Sequence, residues 1–197
     1  MMKISRITLR YDILETCLER FEGNLRNGDH ANVKLNIDNI SKNFGLKLRL
    51  IQELGGLAMP FKPTFFSAVP DGMNSLTKEV ADQFGLPFAQ FRKNRHDSTR
   101  LEFANHRSRL ILLRTNGRGV LFEDVARELG SIQKVLDMPE AKDKFSAVVS
   151  IWDRGVKLKR PELTIPHLSI VHEDIPAIIP EDSPFWQHVR DNIEPME

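Results

Sequence analysis

The stretch "GVLFEDVARELGSIQKVL", from Gly119 to Leu136, decides the fold class. It opens with a short apolar run, Val120 to Phe122, which is typical of a buried strand. Two adjacent carboxylates follow, Glu123 and Asp124, and then a polar segment leads into a pattern with helical period. A strand, a loop and a helix in this order predict one unit of a parallel sheet. Because open α/β sheets bind ligands at the carboxyl ends of their strands, we expect the two acids to lie in a ligand site.

The same alternation of apolar strands and helices extends through the middle of the chain. Strands are predicted at Thr64 to Val69, "PFAQF" (87–91), "GVLF" (119–122) and Phe145 to Trp152, with "HLSIV" (167–171) as an edge strand. Helices are predicted at Ser75 to Phe84, stopped by Gly85, and at Ile132 to Met138. Nearly continuous apolar strands indicate a sheet that is buried on both faces. The predicted fold is therefore α/β, with a parallel sheet of about five strands and helices on both faces.

Other segments carry shorter or weaker patterns. The apolar spacing predicts helices over Tyr11 to Glu22 and over Lys42 to Leu57, with Ser41 as the N-cap of the second. Alternation predicts a strand from Val33 to Ile37, and "LILL" (110–113) is interpreted as a short strand. A terminal helix is predicted to begin at Pro184 and to include Val189. "HED" (172–174) is interpreted as a solvated turn.

Composition limits the classes of function. The chain has 197 residues and a net charge of +1, so its overall charge does not indicate a partner that is a polyanion. Its one cysteine, Cys17, excludes a disulfide framework or a multi-thiolate metal site within one chain. The six histidines do not show the spacing of zinc ligands. No apolar run approaches the roughly 20 residues that span a bilayer, and the first residues do not form a signal peptide. We therefore expect a cytoplasmic protein.

Three predicted strands end in polar turns that contain glycine or acids. The turns are Pro70-Asp71-Gly72, then Glu123-Asp124 with Gly130-Ser131, and Asp153-Arg154-Gly155. If the sheet is parallel, all three lie at its carboxyl edge and can form one site. Polar loops that only face solvent are the alternative, since a single turn of this kind is common. Three such turns together favour a functional site.

The order of these motifs resembles the type I phosphoribosyltransferases, and among them the orotate phosphoribosyltransferases most. "FEDVARELGS" (122–131) is similar to the family's "VEDVVTTGGS" loop, and "AVPDGM" (68–73) is similar to "GVPTGG". "GLPFAQFRK" (85–93) resembles "GLPLVFVRK", and "IWDRG" (151–155) resembles a strand ending in "VDRG". "TIPHLSIVHEDI" (164–175) and "LRNGDHANVKLNIDNI" (25–40) extend the resemblance over nearly the whole chain.

The resemblance implies the type I phosphoribosyltransferase fold in a single domain over residues 1–197. Residues 1–60 would form an N-terminal hood with the first helices, 61–160 the core sheet, and 161–197 a C-terminal strand and helix. It also implies an enzyme that transfers ribose 5-phosphate from phosphoribosyl pyrophosphate to a nitrogenous base, with orotate as the first choice. Mg²⁺ would be the cofactor and a homodimer the assembly.

The resemblance also implies a role for each matching residue. The catalytic set would be Glu123 and Asp124 at the ribose, with Arg95 and His96 in a mobile catalytic loop. Asp124 would meet the metal indirectly, through the substrate. The substrate-binding set would be Arg92, Lys93, Asp71 and Gly72 at the pyrophosphate, Arg127, Gly130 and Ser131 at the 5′-phosphate, and Arg154 and Arg26 at the base.

The phosphate loop departs from the family, because Arg127-Glu128-Leu129-Gly130 replaces Thr-Thr-Gly-Gly. We expect the Leu129 side chain to obstruct the close approach of a phosphate, and Glu128 to repel it. These changes favour a second hypothesis, in which the chain is a catalytically degenerate ligand-sensing or nucleic-acid-binding regulatory protein. The segment Arg92 to Arg118, with eight Lys and Arg against two acids, is compatible with a solvated hairpin, a phosphate-gripping loop or the nucleic-acid surface of such a protein.

Overall fold

The computed structural model describes residues 2–24, 30–70, 72–97, 100–115, 117–154 and 162–172. These residues form two compact units, one that ends at Leu46 and one that begins at Lys47. The predicted helix from Pro184 lies outside the described residues. The prediction that residues 1–197 form a single domain with a hood stays a prediction. None of the described helices is both long and apolar enough to cross a membrane.

The first unit contains a helix and an antiparallel hairpin. Its elements are α1 (Met2–Cys17), β1 (Leu18–Asn24), β2 (His30–Leu35) and a 3-10 turn (Ile37–Lys42). The prediction of a helix through Glu22 is wrong beyond Cys17, because the chain there pairs with β2 from Leu18 to Asn24. Cross-strand pairing overrides a local helical period in this segment. The second strand was predicted correctly in its middle, although it begins and ends earlier than expected.

The second unit is built on a six-stranded sheet. Its elements are most of α2 (Phe44–Ala58), then β3 (Phe65–Ala68), α3 (Asn74–Phe84), β4 (Phe88–Lys93), β5 (Leu101–Phe103), α4 (His106–Arg114), β6 (Gly119–Ala126), α5 (Gly130–Leu136), β7 (Phe145–Asp153) and β8 (His167–His172). The strand order is β5-β4-β3-β6-β7-β8. Five strands run parallel, and only the short edge strand β5 is antiparallel to its neighbour. The predicted α/β sheet of about five parallel strands is confirmed.

Helices cover both faces of this sheet. From β3 the chain moves in one direction to β4 and then in the other direction to β6, so right-handed crossovers place α3 and α4 on opposite faces. On the α4 face, Leu112 packs with Ile132 and Val135 of α5 against Phe65 and Leu121 of the sheet. On the other face, the rings of Phe66 and Phe122 meet edge to face at 5.0 Å. The predicted covering of both faces is therefore confirmed.

The prediction of a strand at "LILL" is wrong, because residues 110–113 lie in α4. Asn105 precedes this helix in an extended conformation, and its side-chain oxygen accepts a hydrogen bond from Ser108 N at 2.8 Å. An asparagine in this position stabilises a helix start by satisfying a free backbone N–H group. Four apolar residues in a row fit a buried helix as well as a buried strand, so the run alone did not decide.

The N-cap of α2 also differs from the prediction. Ser41 lies inside the 3-10 turn, where its hydroxyl donates a hydrogen bond to Asp38 O at 2.6 Å. The capping group is Asn43, whose side-chain oxygen accepts from Leu46 N at 3.0 Å. A 3-10 turn that ends at Lys42 shifts the start of the helix by two residues, from Lys42 to Phe44.

The two adjacent glycines of α2 have opposite surroundings, which leads to a test of the packing. A Cβ added at Gly55 would collide with the ring of Phe84, whereas a Cβ at Gly56 would have open space. Alanine is favoured over glycine within a helix by up to about 1 kcal/mol. We expect Gly56→Ala to raise the free energy of unfolding by that amount. We expect Gly55→Ala to lower it, because overpacking a core typically costs about 1–3 kcal/mol.

Urea unfolding of the two variants beside the wild-type chain measures both effects. Gly56→Ala serves as the control for helix propensity, because both substitutions change the same residue type in the same helix. An equal gain in stability at both positions would contradict the packing of α2 against Phe84.

Candidate functional site

The turn after β3 and the acid pair of β6 meet at the carboxyl edge of the sheet. The two strands are parallel neighbours, with Ala68 opposite Phe122. A Cβ added at Gly72 would collide with the carboxylate of Asp124. The backbone of Gly72 therefore lies directly against the Asp124 side chain, at a distance that only glycine permits. Two of the three predicted polar turns are in contact.

The third turn follows β7 at the same edge. Asp153, the last residue of β7, pairs with Ala126 of β6. Arg154 follows it, and its backbone N–H donates to Ala126 O at 2.8 Å. This bond places Arg154 at the point where β6 gives way to the loop of residues 127–129. Arg154 is itself engaged in a polar or electrostatic interaction.

The two acids of β6 differ in exposure and in protonation. Glu123 is buried, with 8% of its surface exposed, while Asp124 is half-buried. Burial raises the pKa of Glu123 well above its usual value, and the hydrogen bond and the negative charge of Asp124 raise it further. A backbone hydrogen bond and the nearby charge of Lys93 act in the opposite direction. Glu123 is therefore the acid of the pair that holds its proton more tightly than an exposed glutamate does.

The backbone around the acids also fixes their positions. The Glu123 side chain accepts a hydrogen bond from Asp124 N at 3.2 Å. The Asp124 side chain accepts one from Val125 N at 2.7 Å. Each carboxylate therefore satisfies the N–H group of the residue that follows it. Asp124 keeps its second oxygen directed toward Gly72.

The two cations at the end of β4 have different partners. Successive residues of a strand point to opposite faces, so Arg92 and Lys93 diverge. The charge of Lys93 acts on Glu123. Arg92 instead forms an ion pair with Glu102 of β5, with 2.7 Å between Nε and Oε1. Asn94 also donates to Glu102, at 2.9 Å. Of the two cations predicted at the pyrophosphate, Lys93 acts electrostatically on Glu123, whereas Arg92 is paired with Glu102.

Arg95 and His96 lie in the loop of the β4–β5 hairpin. The side-chain oxygen of Asn94 accepts hydrogen bonds from His96 N at 2.8 Å and from Asp97 N at 3.1 Å. This turn leaves the side chains of Arg95 and His96 exposed. Within the described part of the chain, neither forms a hydrogen bond or ion pair with Glu123 or Asp124. Both residues lie in the β4–β5 hairpin, at the edge of the sheet.

The loop after β6 keeps an open backbone despite its bulky sequence. Leu129 has φ 62°, in the left-handed region that glycine adopts most easily. Its side chain is buried in the core with Ile132 and Val135. The expectation that this side chain obstructs the loop is therefore wrong. A Cβ at Gly130 would have open space, Ser131 and Glu128 are exposed, and Arg127 is engaged in a polar or electrostatic interaction.

Three residues of the predicted site, Arg26, Asp71 and Gly155, lie outside the described residues. Two other groups were missed by sequence reasoning. Glu102, which holds Arg92, could be found only by anticipating the antiparallel hairpin that β5 forms with β4. His172 was interpreted as part of a solvated turn but is the last residue of β8, with Nδ1 3.5 Å from Asp153 Oδ2.

The carboxylates at this edge suit a metal ion that arrives with a ligand. Within the described ranges, no group of three or more His, Cys, Asp or Glu side chains could hold a metal ion. Mg²⁺ is usually bound through one or two carboxylates together with substrate phosphates and water. Asp124 provides one charged carboxylate of this kind. The residues therefore fit an ion shared with a phosphorylated ligand, and they do not form a cage made by the protein alone.

Comparison with known proteins identifies the fold. No protein-family model matches the chain, and no curated protein matches its sequence. Orotate phosphoribosyltransferase from Aeropyrum pernix superposes with a TM-score of 0.60 at 17% identity, over 85% of this chain and 92% of that one. Mycobacterium tuberculosis H37Rv orotate phosphoribosyltransferase in complex with inorganic phosphate gives 0.62 at 12% identity, over 86% and 96%. Adenine phosphoribosyltransferase from Thermoanaerobacter pseudethanolicus gives 0.61 at 16% identity, over 82% and 98%.

These similarities show that the chain has the type I phosphoribosyltransferase fold. The predicted similarity in fold is confirmed, although the sequence identity between these structures and this chain is low. At such identity a superposition fixes the arrangement of strands and helices, whereas the chemistry depends on the residues at the carboxyl edge.

The protonation of Glu123 predicts how stability depends on pH. Burial raises the pKa of Glu123 in the folded chain well above its ordinary value of 4.5, so the folded state keeps a proton that the unfolded state releases. The stability associated with this proton is fully present below about pH 4.5. It is lost as the pH rises toward the pKa that Glu123 has in the folded chain. We expect Glu123→Gln, which is neutral at every pH, to avoid this loss. Its advantage over wild type should therefore grow as the pH rises.

Urea unfolding of both proteins between pH 4 and pH 8 gives the comparison. Glu79→Gln is the control, because Glu79 forms an ion pair with Lys47 at the surface and should not reproduce the pH-dependent gain. Parallel curves for wild type and Glu123→Gln would contradict a buried, protonated Glu123.

Proposed function

We propose that this chain transfers ribose 5-phosphate from phosphoribosyl pyrophosphate to a nitrogenous base. The observation that carries the proposal is the close contact between the Gly72 backbone and Asp124, beside Glu123, whose pKa is raised by burial, at the carboxyl edge of this fold. The edge combines two acids, an open backbone at Gly130 and a nearby lysine, Lys93. A phosphorylated sugar needs these groups for its hydroxyls, its phosphates and the charge that develops on it.

The acid pair suits the sugar in the transition state. As the bond from C1 to the pyrophosphate oxygen breaks, the ribose ring gains positive charge. The carboxylate of Asp124 stabilises the positive charge on the ribose and accepts a hydrogen bond from a ribose hydroxyl. The raised pKa of Glu123 favours its neutral form, which reduces the repulsion within the pair, and Glu123 is hydrogen-bonded to Asp124. Lys93 provides a cation on the side of Glu123.

The phosphate groups would meet backbone rather than bulky side chains. At the 5′-phosphate, the N–H groups of Gly130 and Ser131 are the proposed donors, with the guanidinium of Arg127 as a predicted further contact. The left-handed backbone at Leu129 supports this, because it directs the leucine side chain into the core. At the pyrophosphate, the role of Gly72 stays a prediction, because the Asp124 carboxylate occupies the space beside its Cα. Further contacts with the pyrophosphate end of the ligand stay predictions, namely those of Asp71, Arg92, Arg95 and His96. Mg²⁺ bound to the pyrophosphate would neutralise the leaving group.

Orotate is the base that we propose to test first. Arg154 follows β7 at the site edge, and a guanidinium pairs well with a planar carboxylate such as that of orotate. Arg26 stays a predicted second contact with the base. Adenine is the alternative base, because one of the proteins of similar fold is an adenine phosphoribosyltransferase. A homodimer is the assembly we expect, and sedimentation of the full chain would measure it.

The catalytic role of Asp124 gives a direct test. We expect Asp124→Asn to lower kcat by about 10²–10⁴-fold, the usual effect of removing a positioned catalytic group. Its thermal midpoint should stay close to that of wild type, because Asp124 is half-buried at a strand end. Asp82→Asn on the exposed surface of α3 is the matched control and should keep full turnover. The assay follows pyrophosphate release with orotate or adenine as acceptor.

A calorimetric titration with phosphoribosyl pyrophosphate, with and without Mg²⁺, precedes the assay. Binding that strengthens with Mg²⁺ supports the proposed substrate. A wild-type chain that binds neither form of the ligand would contradict the proposal, and so would an Asp124→Asn variant with unchanged turnover.

Nucleic-acid binding is the second candidate, and one feature of α4 favours it. Arg107 and Arg114 lie two turns apart on one helix face, and both are exposed. Neither forms an ion pair within the described residues. In contrast, Arg92, Arg100 and Arg109 are each paired with an acid, at 2.7, 3.2 and 3.7 Å. The candidate surface is therefore α4 rather than the whole basic segment.

Salt dependence tests this surface. If both arginines contact phosphates of duplex DNA, log Kd should vary with log salt by about 0.9 per contact. The double variant Arg107→Gln with Arg114→Gln should then reduce the slope by about 1.8. Lys42→Gln with Lys78→Gln removes the same charge from exposed positions elsewhere and should leave the slope unchanged. Fluorescence anisotropy with labelled duplexes gives the slopes, and absence of binding at micromolar protein would contradict this candidate.

A further inference from the structure

A polar cluster at the ends of β7 and β8 is not used by the groups described so far. Asp153, the last residue of β7, is fully buried. Its Oδ2 atom lies 3.5 Å from Nδ1 of His172 and 3.8 Å from Nδ1 of His167. Ser169 Oγ lies 3.3 Å from the same Nδ1 atom of His172. A buried carboxylate requires such polar partners, because burial without them is costly.

The side chains of the two histidines differ in solvent exposure. His167 has its other ring nitrogen, Nε2, 2.9 Å from the buried Ser150 hydroxyl, and its side chain is 11% exposed. His172 directs Nδ1 inward, and its side chain is 59% exposed. The two nitrogens of an imidazole lie on opposite sides of the ring, so Nε2 of His172 points away from Asp153. With Nδ1–H directed at the carboxylate, Nε2 carries a lone pair that can accept a proton.

Strand register places His172 near the carboxyl edge of the sheet that carries Asp124. Ala126 pairs with Asp153, and Asp153 pairs with His172, so the three residues form one rung of the parallel sheet. Asp124 precedes Ala126 by two residues on β6. Two strand spacings of about 4.8 Å and two rises of about 3.3 Å put the Cα atoms of Asp124 and His172 about 12 Å apart. A ligand that contacts Asp124 and spans this distance therefore reaches His172.

We propose that Nε2 of His172 accepts the proton that the nitrogenous base loses when it attacks the sugar. This inference rests on the proposed function and identifies the group that completes its chemistry. The base nitrogen forms a bond to C1 of the ribose while the bond from C1 to the pyrophosphate oxygen breaks. Pyrophosphate leaves with the electron pair of that bond, and the proton of the base N–H group passes to Nε2.

Asp153 acts as the positioning residue in this arrangement. A fixed carboxylate behind the imidazole selects the tautomer with a lone pair on Nε2 and stabilises the imidazolium that forms after proton transfer. The substrate class follows from this chemistry. The acceptor would be a heterocyclic base that reacts through a ring N–H group, so an acceptor that is already deprotonated would not need His172.

The experiment compares His172→Asn and His172→Ala with wild type. Asparagine keeps a donor where Nδ1 lies and removes Nε2, so the fold and the contact with Asp153 should be preserved. We expect both variants to lower kcat by about 10²–10⁴-fold, with affinity for phosphoribosyl pyrophosphate, measured by calorimetry, unchanged. Free imidazole should restore part of the kcat of His172→Ala, a result that a purely structural role would not produce. The exposed His106→Gln is the matched control and should keep full turnover.

The outcomes separate this inference from the proposed function. A wild-type chain that transfers ribose 5-phosphate while His172→Asn keeps its kcat overturns the role of His172 alone. Reduced kcat in His172→Ala without any rescue by imidazole, together with full kcat in His172→Asn, also overturns it. A wild-type chain that does not bind phosphoribosyl pyrophosphate overturns the proposed function and the inference together.

Discussion

The position of β6 between β3 and β7 is the constraint on which the site depends. Because β6 pairs in parallel with both neighbours, the ends of three strands are held at one edge with a fixed stagger. The turn after β3 then reaches Asp124, and the residue after β7 bonds to Ala126. A shift in either register would separate these groups, since one residue of slip turns every side chain to the other face. The site is thus a consequence of strand pairing in the core.

Burial makes the acid pair chemically asymmetric. The two adjacent carboxylates are covered unequally, because Glu123 is buried and Asp124 is half-buried. Glu123 is almost fully covered, so keeping its proton is less costly than burying a charge beside Asp124. The result is a pair of neighbouring acids in which Glu123 loses its proton less readily than an exposed glutamate would.

The loop after β6 shows how a sequence can diverge while its backbone shape persists. Leucine in a left-handed conformation is strained, by about 1 kcal/mol or more. The burial of its side chain with Ile132 and Val135 offsets that strain by roughly 1.5–3 kcal/mol. The core therefore stabilises a backbone conformation that glycine adopts without help. Arg127 and Glu128 are charged where the family that this chain resembles has two threonines. These two charges distinguish the loop from that of the family.

The amino-acid sequence by itself determined the α/β class, the parallel sheet strands from Phe65 onward and the acid pair at a strand end. These features depend on local apolar periodicity and on the order of motifs, both of which are legible along the chain. The tertiary structure decided what depends on contacts between distant segments. Pairing made β1 a strand where the local pattern predicted a helix, and hairpin formation gave Arg92 its partner Glu102. Burial set the protonation of Glu123, turned Leu129 inward and brought His172 beside Asp153. None of these can be inferred from neighbours in sequence, because exposure, register and charge environment are properties of the packed chain.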